Sequence, residues 1–285
     1  MLADAIRSET YRLSRNRTAL FWSVLFVPII GVLLSTLGFV VAKANMAKLA
    51  GKLPPEVLKG GPLDLGLTLV KSAGDFANPA ILMFVLIGAA TIYAGDYRWE
   101  TWRLISARNT RTNLVAGKVA VTALLILLAT FAALISDVIA SLIQAAVFGR
   151  SLTFTMTGDA AADFGLLGLT GWARILQFTL LGLLAAVMTR SLLAALFAPL
   201  VIGVGQFFLP QILMPMGVMP DGWLLPLLSP GMATDLLKGA VQGGAAAAEL
   251  PDHAVVKGLL GLALWIAVPF AAAVAWFNTQ DLSKE

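Results

Sequence analysis

The chain has 285 residues, of which 59% are hydrophobic and 13% are charged, and its mean hydropathy is +0.86. Soluble domains carry about 25% charged residues, and a chain of this size has no core large enough for so much apolar surface, so a soluble globular protein is excluded. The net charge is +4, cysteine is absent and His253 is the single histidine, which excludes disulfides, thiolate zinc sites and cysteine nucleophiles.

The first element, residues 1–18, is predicted to be an interfacial helix. Leu2, Ile6 and Leu13 fall near one helical face, and the charged residues of the segment fall elsewhere. This pattern is typical of a helix that lies along the inner leaflet. No small-residue cleavage site follows the first apolar run at the right place, so we do not expect a cleavable signal peptide.

Six apolar segments follow, each with roughly the 20 residues that a membrane-spanning helix needs, or more. They are Ala19–Ala42, Phe76–Gly95, Leu114–Phe148, Trp172–Thr189, Leu192–Leu213 and Gly258–Phe277. The third is long enough to project beyond the bilayer. The expected fold is therefore a single all-α transmembrane domain over residues 1–285 with six transmembrane helices.

The distribution of lysine and arginine predicts the orientation of these helices. The loops on one side hold eleven of the 20 lysines and arginines in about half the length of the loops on the other. These denser loops are 1–18, 96–118, 189–191 and 278–285. Because cytoplasmic loops carry the excess of positive charge, we expect both termini in the cytoplasm of a bacterial cell, with the chain in the inner membrane.

Segments 43–75 and 214–256 are then expected to be extracytoplasmic. The second contains a helix signal, because Ser229 is a good N-cap and Pro230 suits the first helical position. Gly243-Gly244 is a matching stop signal. We therefore predict a short helix over about Pro230–Gln242 that lies on the outer face of the membrane or re-enters it.

The loop between the second and third apolar segments, residues 96–112, allows two interpretations. It can be a solvated basic loop whose tryptophans anchor at the membrane interface. Alternatively it is a short amphipathic docking helix, because Trp99, Trp102 and Ile105 follow a helical spacing with charges around them. A charged helix at the junction of two spans would suit contact with a moving partner protein.

This loop resembles that of ABC-2 type permeases, the six-span membrane subunits of ATP-binding-cassette exporters. Asp96, Thr101, Arg103, Arg111 and Lys118 fit the family pattern, while Glu100 stands where the family usually has glycine. A second stretch, LPLLSPGMATDLLKG over Leu225–Gly239, is similar to the family's re-entrant segment. Within the family, the bacitracin-type, lantibiotic-immunity and nitrous-oxide-reductase-maturation permeases look nearest.

The resemblance implies a cytoplasmic coupling helix on which a separate ATPase subunit docks. Its candidate contact residues are Asp96, Arg98, Trp99, Glu100, Thr101, Trp102, Arg103, Arg108 and Arg111. It also implies two permease copies, a homodimer rather than a heterodimer, among membrane lipids. We expect no cofactor or metal in this chain, with ATP and Mg²⁺ on the ATPase, because Gly117-Lys118 lacks the rest of a P-loop.

Four residues of the apolar segments are candidates for a substrate pathway. Gln206 and Phe207 lie on the fifth segment, which in the family lines the path between protomers. Asp137 and Gln177 are polar residues of the third and fourth segments, and such groups at membrane depth either serve function or hydrogen-bond a neighbouring helix. Asp137 is about 20 residues into its segment, so the alternative is that it lies at the outer headgroups. An apolar path with few charges suits a hydrophobic or amphipathic export substrate.

Other classes of function remain to be weighed against the exporter. An ion-coupled secondary transporter or channel needs ionisable residues along a route through the membrane, and the chain offers Asp137 with Asp75 and Arg174 near segment ends. An intramembrane enzyme would need a catalytic cluster that this sequence lacks, so we expect no catalytic residues. No base-reading motif is present, and we expect no nucleic-acid partner.

Overall fold

The computed structural model describes residues 1–49, 61–98, 102, 109–219, 221–243 and 250–281. Its helices, in chain order, are α1 (Leu2–Arg15), α2 (Arg17–Ala44, with a π-helical turn over Phe21–Leu25), α3 (Met46–Leu49), α4 (Leu65–Gly74), α5 (Pro79–Arg98), α6 (Arg111–Phe148), α7 (Gly158–Thr189), α8 (Leu192–Leu213), α9 (Leu224–Leu228), α10 (Pro230–Gln242) and α11 (Ala254–Thr279). A 3₁₀ turn covers Met214–Met216, and the two-residue strands β1 (Leu63–Asp64) and β2 (Leu152–Thr153) pair in parallel.

In the part of the chain that the structure describes, six helices are long and apolar enough to cross a membrane. They are α2, α5, α6, α7, α8 and α11. The prediction of an all-α, multi-pass membrane protein is thereby confirmed. Of the coupling helix predicted over 96–112, residues 99–101 and 103–108 lie outside the described residues, while 96–98 belong to α5 and 111–112 to α6. For α1 and α10 the helices are present, while their positions at the membrane surface remain predictions.

Helix caps account for two differences from the predicted bounds. Helix α7 begins at Gly158, well before the predicted Trp172, because the side chain of Thr157 accepts a hydrogen bond from the Ala160 N–H. Helix α6 begins at Arg111 after the equivalent cap by Thr110. Its 38 residues rise about 57 Å, far more than the roughly 30 Å hydrocarbon core. Helix α6 therefore does project beyond the width of a bilayer's hydrocarbon core.

Helix α7 is the centre of the bundle. It packs against α4, α5, α8, α10 and α11, and 67% of its most apolar window is buried inside the chain. Helix α2 is at the other extreme, since none of its window is buried and it packs mainly on α6. The exposed leucines and valines of α2 and α8 would be unfavourable in water, so these faces are suited to lipid or to another chain.

Helix α1 lies on α6 rather than standing apart from the bundle. Its buried residues are Ala5, Glu9 and Leu13, and Ala5 meets Gly117 of α6 so closely that a β-carbon at Gly117 would lie 2.9 Å from the Ala5 β-carbon. Of the predicted apolar stripe, Leu13 is buried in this contact, Ile6 is half-buried and Leu2 is exposed, and the face that packs is set by the small pair.

The first and last described residues, Met1 and Asp281, lie at the same end of the bundle, which we call the terminal end. There Asn109 donates a hydrogen bond to the main-chain oxygen of Met1 at 2.7 Å, and Arg190 donates to the oxygen of Asp281 at 3.3 Å. The loop after α5 and the turn between α7 and α8 are therefore at this end too. The opposite end carries β1, β2 and the start of α11.

Asp64 organises the opposite end. Its Oδ1 accepts hydrogen bonds from the N–H groups of Gly66 at 2.8 Å, Leu67 at 3.2 Å and Thr155 at 3.1 Å. Hydrogen bonds from Thr155, and then those from Leu67 and Gly66, lower the pKa of Asp64 from 3.8 to about 2. Because the folded-state pKa is depressed, this contribution to stability is present above the unfolded pKa and is lost as the pH falls through about 2.

We expect the amide of Thr155 to lose protection from hydrogen exchange as the pH falls from about 4 to about 2, the window between the unfolded and folded pKa values of Asp64. The measured rates are corrected for the intrinsic exchange rate at each pH. Protonation removes the charge that makes Asp64 a strong acceptor. The Asp64→Asn variant should show weaker protection that does not change over this window, because asparagine does not titrate. Equal pH dependence in the variant would show that another group controls this end of the bundle.

Candidate functional site

A network of four charged side chains joins α1 to the start of the loop and to α6. Arg12 lies 2.8 Å from Asp96 and 3.2 Å from Glu9, both through its Nη1 atom. Lys118 lies 2.6 Å from Asp96 and 3.2 Å from Glu9 through its Nζ atom. Two carboxylates thus alternate with two cations, and the network is neutral as a whole. A cavity of about 250 Å³ borders it at the terminal end.

Lys118 is the buried centre of this network, with a side chain only 2% exposed. Its ammonium group also donates to the main-chain oxygen of Ile92 at 2.7 Å, so all three of its protons have an acceptor. Asp96 is 4% exposed and Glu9 is 8% exposed, whereas Arg12 is 42% exposed. The charges of Lys118, Asp96 and Glu9 are therefore shielded from water, and each is stabilised by the opposite charges beside it.

Trp102 connects the loop to this network. Its ring is buried, 4.4 Å from the ring of Phe277 and 5.5 Å from that of Tyr97, measured between centroids. The Lys118 ammonium lies 5.2 Å from the centre of the Trp102 ring, in the geometry of a cation–π contact. The one described residue between 99 and 108 is thus packed into the bundle.

Arg111 fixes the other end of the loop. Its Nη1 donates to the main-chain oxygens of Phe277, Asn278 and Gln280 at 3.0, 3.0 and 2.7 Å. These oxygens belong to the last turn of α11, where a helix leaves carbonyl groups without internal partners and a cation is favourable. The start of α6 is thereby attached to the end of α11.

The predicted coupling residues therefore fall into three groups. Asp96, Trp102 and Arg111 are engaged with the rest of the chain. Arg98 ends α5. The other predicted contact residues lie outside the described ranges, and their role remains a prediction; they are Trp99, Glu100, Thr101, Arg103 and Arg108.

A second site is a cavity of about 700 Å³ between α5, α7, α8 and α10. Gln206 and Phe207, two of the predicted pathway residues, line it. Apolar side chains form most of its wall, including Phe178 and Leu200. Its charged residues are Arg174 of α7 with Asp235 and Lys238 of α10. A groove of this composition can hold an apolar chain beside a small polar group.

Gln206 is the most unusual residue of this cavity. Its side chain is buried, and neither its amide oxygen nor its amide nitrogen has a hydrogen-bond partner among the described residues. A buried amide without partners costs about 1–3 kcal/mol, so such groups need an explanation. Phe207 beside it is 68% exposed.

The other two predicted pathway residues do not line the cavity. Gln177 is fully buried, and its Oε1 accepts a hydrogen bond from Arg174, so it holds that cation in place. Asp137 lies on α6, close to the hydroxyl of Ser72 and to Asp75. About 28 Å of helix separates Lys118 from Asp137, which is close to the thickness of the hydrocarbon core.

Sequence reasoning missed Glu9 and Arg12 of the charge network and the Arg174–Asp235–Lys238 group of the cavity. One signal was present: Glu9 lies between Ala5 and Leu13 at helical spacing, and a carboxylate on the packing face of a helix needs a buried partner. No such signal indicated that Arg174 and α10 would meet, because they are far apart in the chain.

Within the described ranges, no three histidine, aspartate or glutamate side chains are grouped so that they could hold a metal ion. Comparisons with known proteins found no matching family model, no matching curated protein and no matching solved structure.

Proposed function

We propose that this chain is the permease subunit of an ABC exporter, working in a bacterial inner membrane with both termini in the cytoplasm. A separate ATPase subunit would dock on residues 96–111 and supply ATP hydrolysis, so this chain is not itself an enzyme. Two permease copies would form the export path for a hydrophobic or amphipathic substrate. The likeness of its loop to that of ABC-2 permeases supports this proposal.

The observation that carries the proposal is the attachment of both ends of the loop to the bundle. Asp96 at one end is bound through Lys118 and Arg12 to α6 and α1, and Arg111 at the other is bound to α11. A force applied to the loop would therefore reach α1, α5, α6 and α11 together. A loop that serves only as a solvated anchor has no need of such connections.

In the proposed cycle, closure of the ATPase dimer pushes the two loops toward each other. Each bundle then rocks as a unit, because its charges and ring contacts resist relative sliding of the helices. The path between the copies opens to the outside, and release of the hydrolysis products resets it. This chain supplies no covalent chemistry; its part is to convert a push at the terminal end into movement of the spans.

The test is co-purification of this chain, in mild detergent, with a P-loop ATPase expressed from a neighbouring gene. We expect the ATPase to be retained by the wild-type chain and lost with the Glu100→Ala, Arg103→Ala double variant. Lys43→Ala, Lys71→Ala serves as the matched control, since it removes charge at the opposite end. Retention by all three, or the absence of any ATPase from the wild-type preparation, would contradict the proposal.

One observation favours a second candidate, an ion-coupled transporter. Asp137 lies close to Ser72 and Asp75, and ion routes through membranes use such groups of polar side chains. In proteoliposomes without ATPase, this candidate predicts substrate movement driven by a proton or sodium gradient and abolished by Asp137→Asn. The exporter predicts no gradient-driven movement in that preparation.

A further inference from the structure

We infer that the cavity between α5, α7, α8 and α10 binds an amphiphile with one small anionic headgroup, such as an alkyl phosphate, with the headgroup at Arg174 and Gln206. The inference deepens the proposed function by naming its substrate class, and to that extent it rests on that function. Binding itself needs neither an ATPase nor a second copy.

The charges of the cavity select the headgroup. Arg174 and Lys238 are cationic and Asp235 is anionic, so the site has an excess of one positive charge. Asp235 attracts both cations, and a bound anion would neutralise the remaining positive charge. Because Gln177 holds Arg174, the guanidinium is already positioned before a ligand arrives.

Gln206 provides the second, independent indication of a ligand. Gln206 lines the cavity, and its buried amide group has no partner among the described residues, which leaves two N–H donors for a bound anion. Arg174 is about 23 Å along α7 from Thr189, and Gln206 is about 21 Å along α8 from Leu192. The two donors therefore lie at a similar depth, toward the opposite end of the bundle.

Part of the apolar wall lies deeper than these donors, while Phe208 and Pro210 lie on their other side. Phe178 is about 6 Å further along α7 toward the terminal end, and Leu200 is about 9 Å further along α8. Gly203 lets the two helices approach, since a β-carbon there would lie 3.1 Å from the Phe178 ring. An alkyl chain would extend along this wall, with its headgroup near one membrane surface, as in a lipid leaflet.

The probe for the experiment is hexadecyl phosphate with a photoactivatable diazirine in its alkyl chain, added to the purified chain in neutral-lipid nanodiscs. Labelled peptides are identified by mass spectrometry. The uncharged control probe is hexadecanol with the same diazirine. We expect labelling of α8 and α10 by the phosphate probe to exceed labelling by the alcohol roughly tenfold, as hydrogen bonds to a charged group would give.

Gln206→Leu is the decisive variant. It removes a buried amide without partners, so a merely structural residue would leave stability unchanged or raise it and would leave labelling unchanged. We expect labelling by the phosphate probe to fall several-fold while the thermal midpoint does not fall. Arg174→Gln should weaken labelling further, and Lys71→Gln, an exposed charge outside the cavity, should have no effect.

Three results would overturn the inference. They are equal labelling by the two probes, full displacement of the phosphate probe by inorganic phosphate alone, and efficient disulfide crosslinking of two Phe207→Cys copies with no labelling, which would assign the groove to a second copy. The chain has no native cysteine, so that crosslink is specific. Because no ATPase is present, labelling can succeed where co-purification fails, and the reverse.

Discussion

Replacing Lys118 with methionine should lower the free energy of unfolding by about 3–5 kcal/mol, the largest effect that we expect from one substitution. The change removes the buried cation that the carboxylates of Glu9 and Asp96 share, and Arg12, which contacts both, is half exposed. The midpoint of thermal unfolding in detergent, followed by circular dichroism, measures the loss. Lys71→Met is the matched control, because Lys71 is exposed, and should change the midpoint little.

A double-mutant cycle separates the pairing from the loss of packing. Asp96→Asn alone should also destabilise the chain, but the double variant should be destabilised by clearly less than the sum of the two. Additive effects would mean that Lys118 and Asp96 stabilise the fold independently, and would contradict the ion pair at 2.6 Å.

The charge network around Lys118 also allows a test of how movement of the loop is transmitted to the bundle. If movements of the loop pass through it, a Lys118 variant that is still folded should retain bound ATPase while losing stimulated ATP hydrolysis or transport. Under the proposed function, transmission by the buried charges and docking by the rest of the loop would then be separate properties.

The second large effect is expected at Gly261 of α11. A β-carbon there would lie 2.3 Å from the main-chain oxygen of Pro226 and 2.8 Å from the β-carbon of Ala233. Because one of these atoms belongs to the backbone, Gly261→Ala should force α9 and α10 away from α11 at a cost of about 1–3 kcal/mol. The thermal midpoint measures this cost.

Gly205→Ala is the control for this prediction. Gly205 also lies inside a spanning helix, but a β-carbon there would meet nothing within 4 Å. Alanine favours helix over glycine by up to ~1 kcal/mol, so this variant should be as stable as the wild type or more so. A similar loss at both positions would mean that glycine is needed for helix flexibility rather than for close packing.

Gly261→Ala also tests the cavity. Asp235 and Lys238 are carried by α10, and displacing that helix would move them relative to Arg174 of α7. We therefore expect this variant to label poorly with hexadecyl phosphate, whereas Gly205→Ala should label as the wild type does.

The sequence alone determined the class of this protein and the approximate position of every span. A membrane span is a local property, because about 20 consecutive apolar residues must satisfy their own main-chain hydrogen bonds inside the bilayer. The short helix Pro230–Gln242 could be predicted for the same kind of reason, since its Ser-Pro start and glycine stop act within one turn.

Tertiary structure alone decided which charges pair and where a cavity opens. Lys118 meets Glu9 across 109 positions of the chain, and Arg174 meets α10 across the bundle. Hydropathy carries no information about which faces of two apolar helices will touch, because lipid and a neighbouring helix are equally apolar. Small residues such as Gly117 and Gly261 determine which faces touch, because they set where helices approach closely enough to bring buried polar groups together.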